Sequence, residues 1–127
     1  MTYKVLIVDD SKLARMAVGK VLNGLRPGWE RIEATNADEA LALAQQSKFD
    51  IALLDFNMPG RDGLSLAADL RQMSPSMPVA VISANVQHEI VQRAKDVGAE
   101  FLPKPLTEDA MRAFIQQAEQ RLETAGT

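Results

Sequence analysis

A three-layer doubly wound α/β domain is what this sequence predicts, and three observations predict it. Short apolar runs recur along the chain: "VLIV" from Val5, "IALL" from Ile51, "VAVI" from Val79 and a briefer "FL" at Phe101. Runs of four or five apolar residues read as strands covered on both faces. The segments between them are long enough for a helix, and most carry apolar residues at three- and four-residue spacing. Strand and helix alternate five times, and right-handed crossovers then put helices on both faces of a five-stranded parallel sheet.

Taken in order, the first strand is predicted at 4–9 and the first helix at 12–25, with Leu13, Met16, Ala17, Val21 and Leu25 on one face. The second strand, at 30–35, is the weakest of the set. Helix two, at 37–47, aligns Ala37, Ala40, Leu41 and Ala44, and Asn36 followed by Glu39 supplies a cap. Strand three runs over 50–55, helix three over 64–73 before "SPSMP", and strand four over 79–83. Helix four, at 86–97, stops at Gly98, strand five covers 100–102, and helix five, at 107–123, packs with Met111, Phe114, Ile115, Ala118 and Leu122. No repeat, linker or low-complexity tract interrupts this order, and "AGT" is the one tail-like stretch. Residues 1–127 therefore read as one domain.

Bulk properties narrow the function. At 127 residues and 46% hydrophobic content, the chain suits a single core. Its 14 basic residues are scattered among 17 acidic ones, for a net charge of -3, so the basic stripe that a phosphate backbone requires is missing. Direct nucleic-acid binding is not expected. Without cysteine, disulfides and thiolate metal sites are excluded, which fits a reducing compartment. The apolar run near the start is too short for a signal segment or a membrane span, so no membrane insertion and a cytoplasmic location are expected.

The polar residues that close the strands carry the chemistry. Asp9 and Asp10 follow the first strand, Asp55 ends the third, Ser83 ends the fourth, and Lys104 lies just past the fifth. In a parallel sheet these carboxyl ends gather on one edge, where open α/β sheets hold their ligands. Three carboxylates, a hydroxyl and an ammonium brought together describe a magnesium-assisted phosphorylation site.

With these residues, "NMPGRDG" after Asp55 and Lys104-Pro105, the chain closely resembles the receiver domain of two-component response regulators, from about Lys4 to the end of helix five. The resemblance implies a flavodoxin-like sheet of order 2-1-3-4-5. It implies that Asp55 is the phosphoacceptor, that Asp9, Asp10, Asp55 and the backbone carbonyl of Asn57 hold Mg2+, and that Lys104 reaches the acceptor carboxylate. Ser83 matches the hydroxyl that meets the phosphoryl group, with Ala84 as its small neighbour, and Phe101 matches the switch aromatic. Asn57 and Asn85 fall where the family tunes phosphoryl lifetime, and a cis peptide is implied before Pro105. The implied activity is that of a phosphoacceptor, not an enzyme with a separate substrate, catalysing only its own phosphorylation and dephosphorylation. A histidine kinase or phosphotransfer protein is the implied donor, and the target, a protein left unnamed, would meet the face of helix 4, strand 5 and helix 5. The chain resembles stand-alone, chemotaxis-type regulators, and an excised receiver of a longer protein fits equally.

Blander readings stand beside these. A lone Asp after a strand is usually a cap, and one of Asp9 and Asp10 can cap helix one as well as bind metal. Phe101 also reads as ordinary core, His88 as a polar residue opening helix four, and Trp29 as packing remote from the acidic edge. A flavodoxin-type carrier would need a Gly/Ser/Thr-rich loop where "DDSK" stands, and a dinucleotide enzyme a Gly-x-Gly-x-x-Gly. An Asp-based phosphohydrolase is chemically nearest, but its nucleophile belongs to the first strand, not the third.

Overall fold

The computed structural model describes residues 2–125, so Gly126 and Thr127 of the tail lie outside the described residues. The elements run β1 (Lys4–Val8), α1 (Lys12–Leu25), β2 (Glu30–Ala34), α2 (Ala37–Gln46), β3 (Ile51–Asp55), α3 (Gly63–Met73), β4 (Val79–Ser83), α4 (His88–Asp96), β5 (Glu100–Pro103) and α5 (Glu108–Ala125). The five strands are parallel, in the order β2-β1-β3-β4-β5.

Side chains alternate across this sheet and build two cores. Leu6, Val8, Ala52, Leu54, Val79 and Val81 face the layer of α2, α3 and α4. Val5, Ile7, Ile51, Leu53, Ala80 and Ile82 face α1 and α5, meeting Leu22, Met111, Phe114 and Ile115. Burying each of the larger side chains contributes roughly 1.5–3 kcal/mol, so the three central strands form a rigid floor for the residues at their ends. The weak pattern of β2 has a plain cause: it is an edge strand, "ERIEA", with only Ala34 fully buried. Trp29 packs before β2, edge-on to Tyr3 at 5.2 Å between ring centroids, at the amino end of the sheet.

Three local features differ from or refine the sequence reading. In α1 the buried residues are Val18, Gly19 and Leu22, while Leu13 and Met16 are 78% and 58% exposed. The face that packs runs through Val18 and Leu22, with Val21 and Leu25 of the expected stripe partly buried beside them, so the expected face holds in the second half of the helix and not at Leu13 and Met16. The α2 cap forms as expected: Asn36 accepts from the Glu39 N–H at 2.8 Å, and Glu39 reaches back to the Thr35 N–H at 3.0 Å. Helix α4 begins at His88, two residues late, because Asn85 accepts the Gln87 N–H at 3.0 Å and holds that stretch in a turn. It ends in a Schellman pair, Ala99 N–H to Ala94 O and Gly98 N–H to Lys95 O, with Gly98 at φ +75°.

Candidate functional site

Sheet register brings the chemistry together. Val8 pairs with Leu54, which sets Asp9 beside Asp55; Asp55 pairs with Ile82, and Ser83 with Pro103, which sets Ser83 and Lys104 one step further on. Asp9, Asp10 and Asp55 each offer a carboxylate oxygen within 4.8 Å of the others. Lys104 Nζ donates to Asp55 Oδ1 at 2.7 Å, and the Lys104–Pro105 peptide is cis.

Burial differentiates the members. Asp9 and Asp55 are each only 5% exposed, whereas Asp10 lies open to solvent and accepts no hydrogen bond among the described residues. Two buried carboxylates and one exposed, all hard oxygen donors, fit a small divalent cation such as magnesium, which keeps several waters and takes few protein ligands. Asn57 is exposed in the loop after β3. Ser83 is buried, its Oγ accepting the Asn85 N–H at 2.9 Å, and Phe101 is half-buried against the α4-side core. His88 is exposed at the first turn of α4.

Burial pushes the Asp9 carboxyl above its usual range; the Ser11 N–H opposes this, and the Asp55 charge adds to the rise. The folded state therefore favours the protonated form. The stabilising effect of that proton is complete below the unfolded value of about 3.9 and is lost as pH rises through the folded pKa, so ionised Asp9 costs stability at neutral pH. Asp9→Asn, whose amide oxygen still accepts from Ser11, is expected to raise the urea midpoint of metal-free protein at pH 7, with a gain that vanishes near pH 3. A loss at pH 7, or an equal gain at both pH values, would contradict this assignment.

The loop after Asp55 contains two contributors, Asp62 and Gly63, whose roles only the structure shows. Asp62 caps α3, accepting the Ser65 N–H at 2.8 Å, and its other oxygen meets Arg93 of α4 at 3.3 Å. Gly63 donates to Phe56 O at 2.9 Å, and a Cβ there would collide with the Asp55 carbonyl, so only glycine lets α3 start this close to β3. Arg15, also missed, donates to Asp9 O at 2.7 Å and to Glu33 Oε1 at 2.8 Å. A guanidinium one turn into the helix after an acidic pair was its only signal in the sequence.

Comparison with known proteins identifies the family. The sequence model of the response regulator receiver domain matches residues 5–116. The glycerol metabolism activator of Pseudomonas putida is 38% identical over 117 residues, covering 91% of this chain and 53% of that protein. The transcriptional regulatory protein PdtaR of Mycobacterium tuberculosis is 34% identical over 120 residues, covering 93% of this chain and 57% of that one. The chain thus spans about half the length of these relatives. The chemotaxis protein CheY4 of Vibrio cholerae superposes with a TM-score of 0.82 at 32% identity, covering 93% of this chain and 99% of that one. Among the described residues no helix is long and apolar enough to cross a membrane. With its sheet order, its strand-end carboxylates and this match, the chain belongs to the receiver domain family of two-component response regulators.

Proposed function

We propose that residues 1–127 form one phosphoacceptor domain in which Asp55 takes a phosphoryl group from the phosphohistidine of a kinase or phosphotransfer protein in the cytoplasm. A carboxylate oxygen of Asp55 attacks phosphorus, the P–O bond forms as the donor's P–N bond breaks, and the imidazole leaves with the electron pair. The carrying observation is the 2.7 Å contact of Lys104 Nζ with Asp55 Oδ1 beside Asp9 and Asp10. Lys104 supplies a point charge where phosphoryl charge develops. Asp9, Asp10, Asp55 and the Asn57 carbonyl would hold magnesium, which neutralises phosphoryl charge when bound. Water attack on the acyl phosphate would reverse the modification, so the domain acts only on itself.

The same reading makes Ser83 and Phe101 the switch. Ser83 Oγ accepts the Asn85 N–H but keeps its own proton to donate, so a phosphoryl oxygen competes for its position. A shift of Ser83 would disturb a chain of turns running from Ser83 to Asn85 to Gln87, the residue that precedes α4. Phe101, packed against the α4-side core, would follow, and the face of α4, β5 and α5 would report the change to a target protein. The phosphoryl group must favour the new arrangement by a few kcal/mol, or nothing shifts. Asn57 and Asn85 would set phosphoryl lifetime, Asn85 through its amide nitrogen, since its oxygen is engaged by Gln87.

Ser83→Ala tests the switch apart from the chemistry. The variant is expected to be phosphorylated by acetyl phosphate, while beryllofluoride with magnesium no longer shifts the Phe101 ring and α4 amide resonances that move in the wild type. Equal shifts in both proteins would remove Ser83 from the coupling.

A further inference from the structure

The peptide that links Asp9 to Asp10 is held more tightly than a loop exit needs. Asp9 donates its N–H to Ala34 O at 3.1 Å, and its side chain accepts the Ser11 N–H at 2.9 Å. Its carbonyl, the remaining polar group, accepts from Arg15 Nη1 at 2.7 Å, while Nε of the same guanidinium is paired with Glu33 on β2. The Arg15 side chain is only 12% exposed, so this fork is fixed by packing as well as by its two partners.

Because a peptide unit is planar, fixing the Asp9 carbonyl also fixes the nitrogen and Cα of Asp10. Asp10 needs that help. The residue is exposed and its carboxylate, with an oxygen within 4.8 Å of those of Asp9 and Asp55, accepts no hydrogen bond among the described residues, so its direction depends on its backbone. We infer that Arg15 is a positioning residue for the metal pair: through the Asp9 carbonyl it aims the Asp10 carboxylate at the cation, with Glu33 anchoring the guanidinium to the edge strand. This rests on the assignment of Asp9 and Asp10 as magnesium ligands.

Two accounts of Arg15 predict opposite signs. If it acted by charge, a cation beside three carboxylates would repel magnesium, and removing it would tighten binding. If it acts by position, removing it loosens Asp10 and weakens binding, by about ten- to a hundredfold as for other groups that orient metal ligands. The pairing with Glu33 already offsets the charge. Position is the favoured account.

Calorimetric titration of chelator-treated protein with magnesium chloride decides between them. Arg15→Ala is expected to weaken magnesium about ten- to a hundredfold, Arg15→Lys to weaken it less because an ammonium can still reach one partner, and Glu33→Gln to leave it nearly unchanged. Should Arg15→Ala fail to fold, Arg15→Lys carries the comparison. A purely structural arginine would lower the metal-free thermal midpoint without moving the magnesium affinity, and that result, or tighter binding, overturns the inference. Asp10→Asn is the control: if it abolishes binding while both Arg15 variants bind as wild type, the clamp alone is wrong; if it binds as wild type, the metal assignment fails and takes the clamp with it.

Discussion

Asp55→Asn is expected to abolish phosphorylation by acetyl phosphate or by a kinase, a loss of at least about 10³-fold on the scale of removed catalytic nucleophiles. The substitution keeps the shape of a residue that is 5% exposed at the end of β3, and its amide oxygen can still accept from Lys104 Nζ. What it removes is the negative oxygen proposed to attack phosphorus. It also removes one of the charges that raise the Asp9 carboxyl, while Lys104, whose side chain is 38% exposed, keeps access to water. The metal-free variant is therefore expected to unfold no earlier than the wild type, so a lost label is not lost folding. A phosphotransfer time course beside a thermal melt reads both halves, and an early melt would show that the Lys104 pairing outweighs the crowding of carboxylates.

The second large effect is expected at Lys104. Its ammonium, 2.7 Å from Asp55 Oδ1, is the positive side chain seated on the proposed acceptor, and removing a preorganised charge from a reacting centre typically costs about 10²–10³-fold in rate. Lys104→Ala should slow labelling by acetyl phosphate on that scale at saturating magnesium while leaving magnesium affinity nearly unaltered or slightly stronger, since it takes a cation from the site. Stability should fall by much less than the roughly 3–5 kcal/mol of breaking a fully buried pair, because this pair is open to water on one side. A labelling rate within twofold of wild type would show that Lys104 serves the fold and not the transfer.

Much of this was legible because strand ends are. Apolar runs set the strands, a parallel sheet collects their carboxyl ends, and the register of β1, β3, β4 and β5 brings Asp9, Asp55, Ser83 and Lys104 to one edge. The spacing places Val21 and Leu25 of α1 correctly but not Leu13 and Met16, which share that spacing and stay exposed, because spacing alone cannot show where along a helix the core ends. The start of α4 was misplaced because Asn85 holds a turn through its side chain, a tertiary choice open to any Asn near a helix. Arg15 and Gly63 escaped notice for a different reason. Each meets the backbone of a strand-end aspartate, Asp9 O in one case and Asp55 O in the other, and backbone partners leave no pattern in residue type.

The phosphoryl group is expected on Asp55 and on no other carboxylate. Treating the protein with acetyl phosphate and magnesium, reducing the acyl phosphate with borohydride and sequencing tryptic peptides by mass spectrometry reads the acceptor directly, since reduction converts a phosphorylated aspartate to homoserine. The tryptic segment from Phe49 to Arg61 contains just two aspartates, Asp50 and Asp55, which fragmentation separates. Homoserine at position 55, dependent on magnesium and absent from Asp55→Asn, is the predicted result; homoserine at Asp9, Asp10 or Asp50 in place of Asp55 would contradict it.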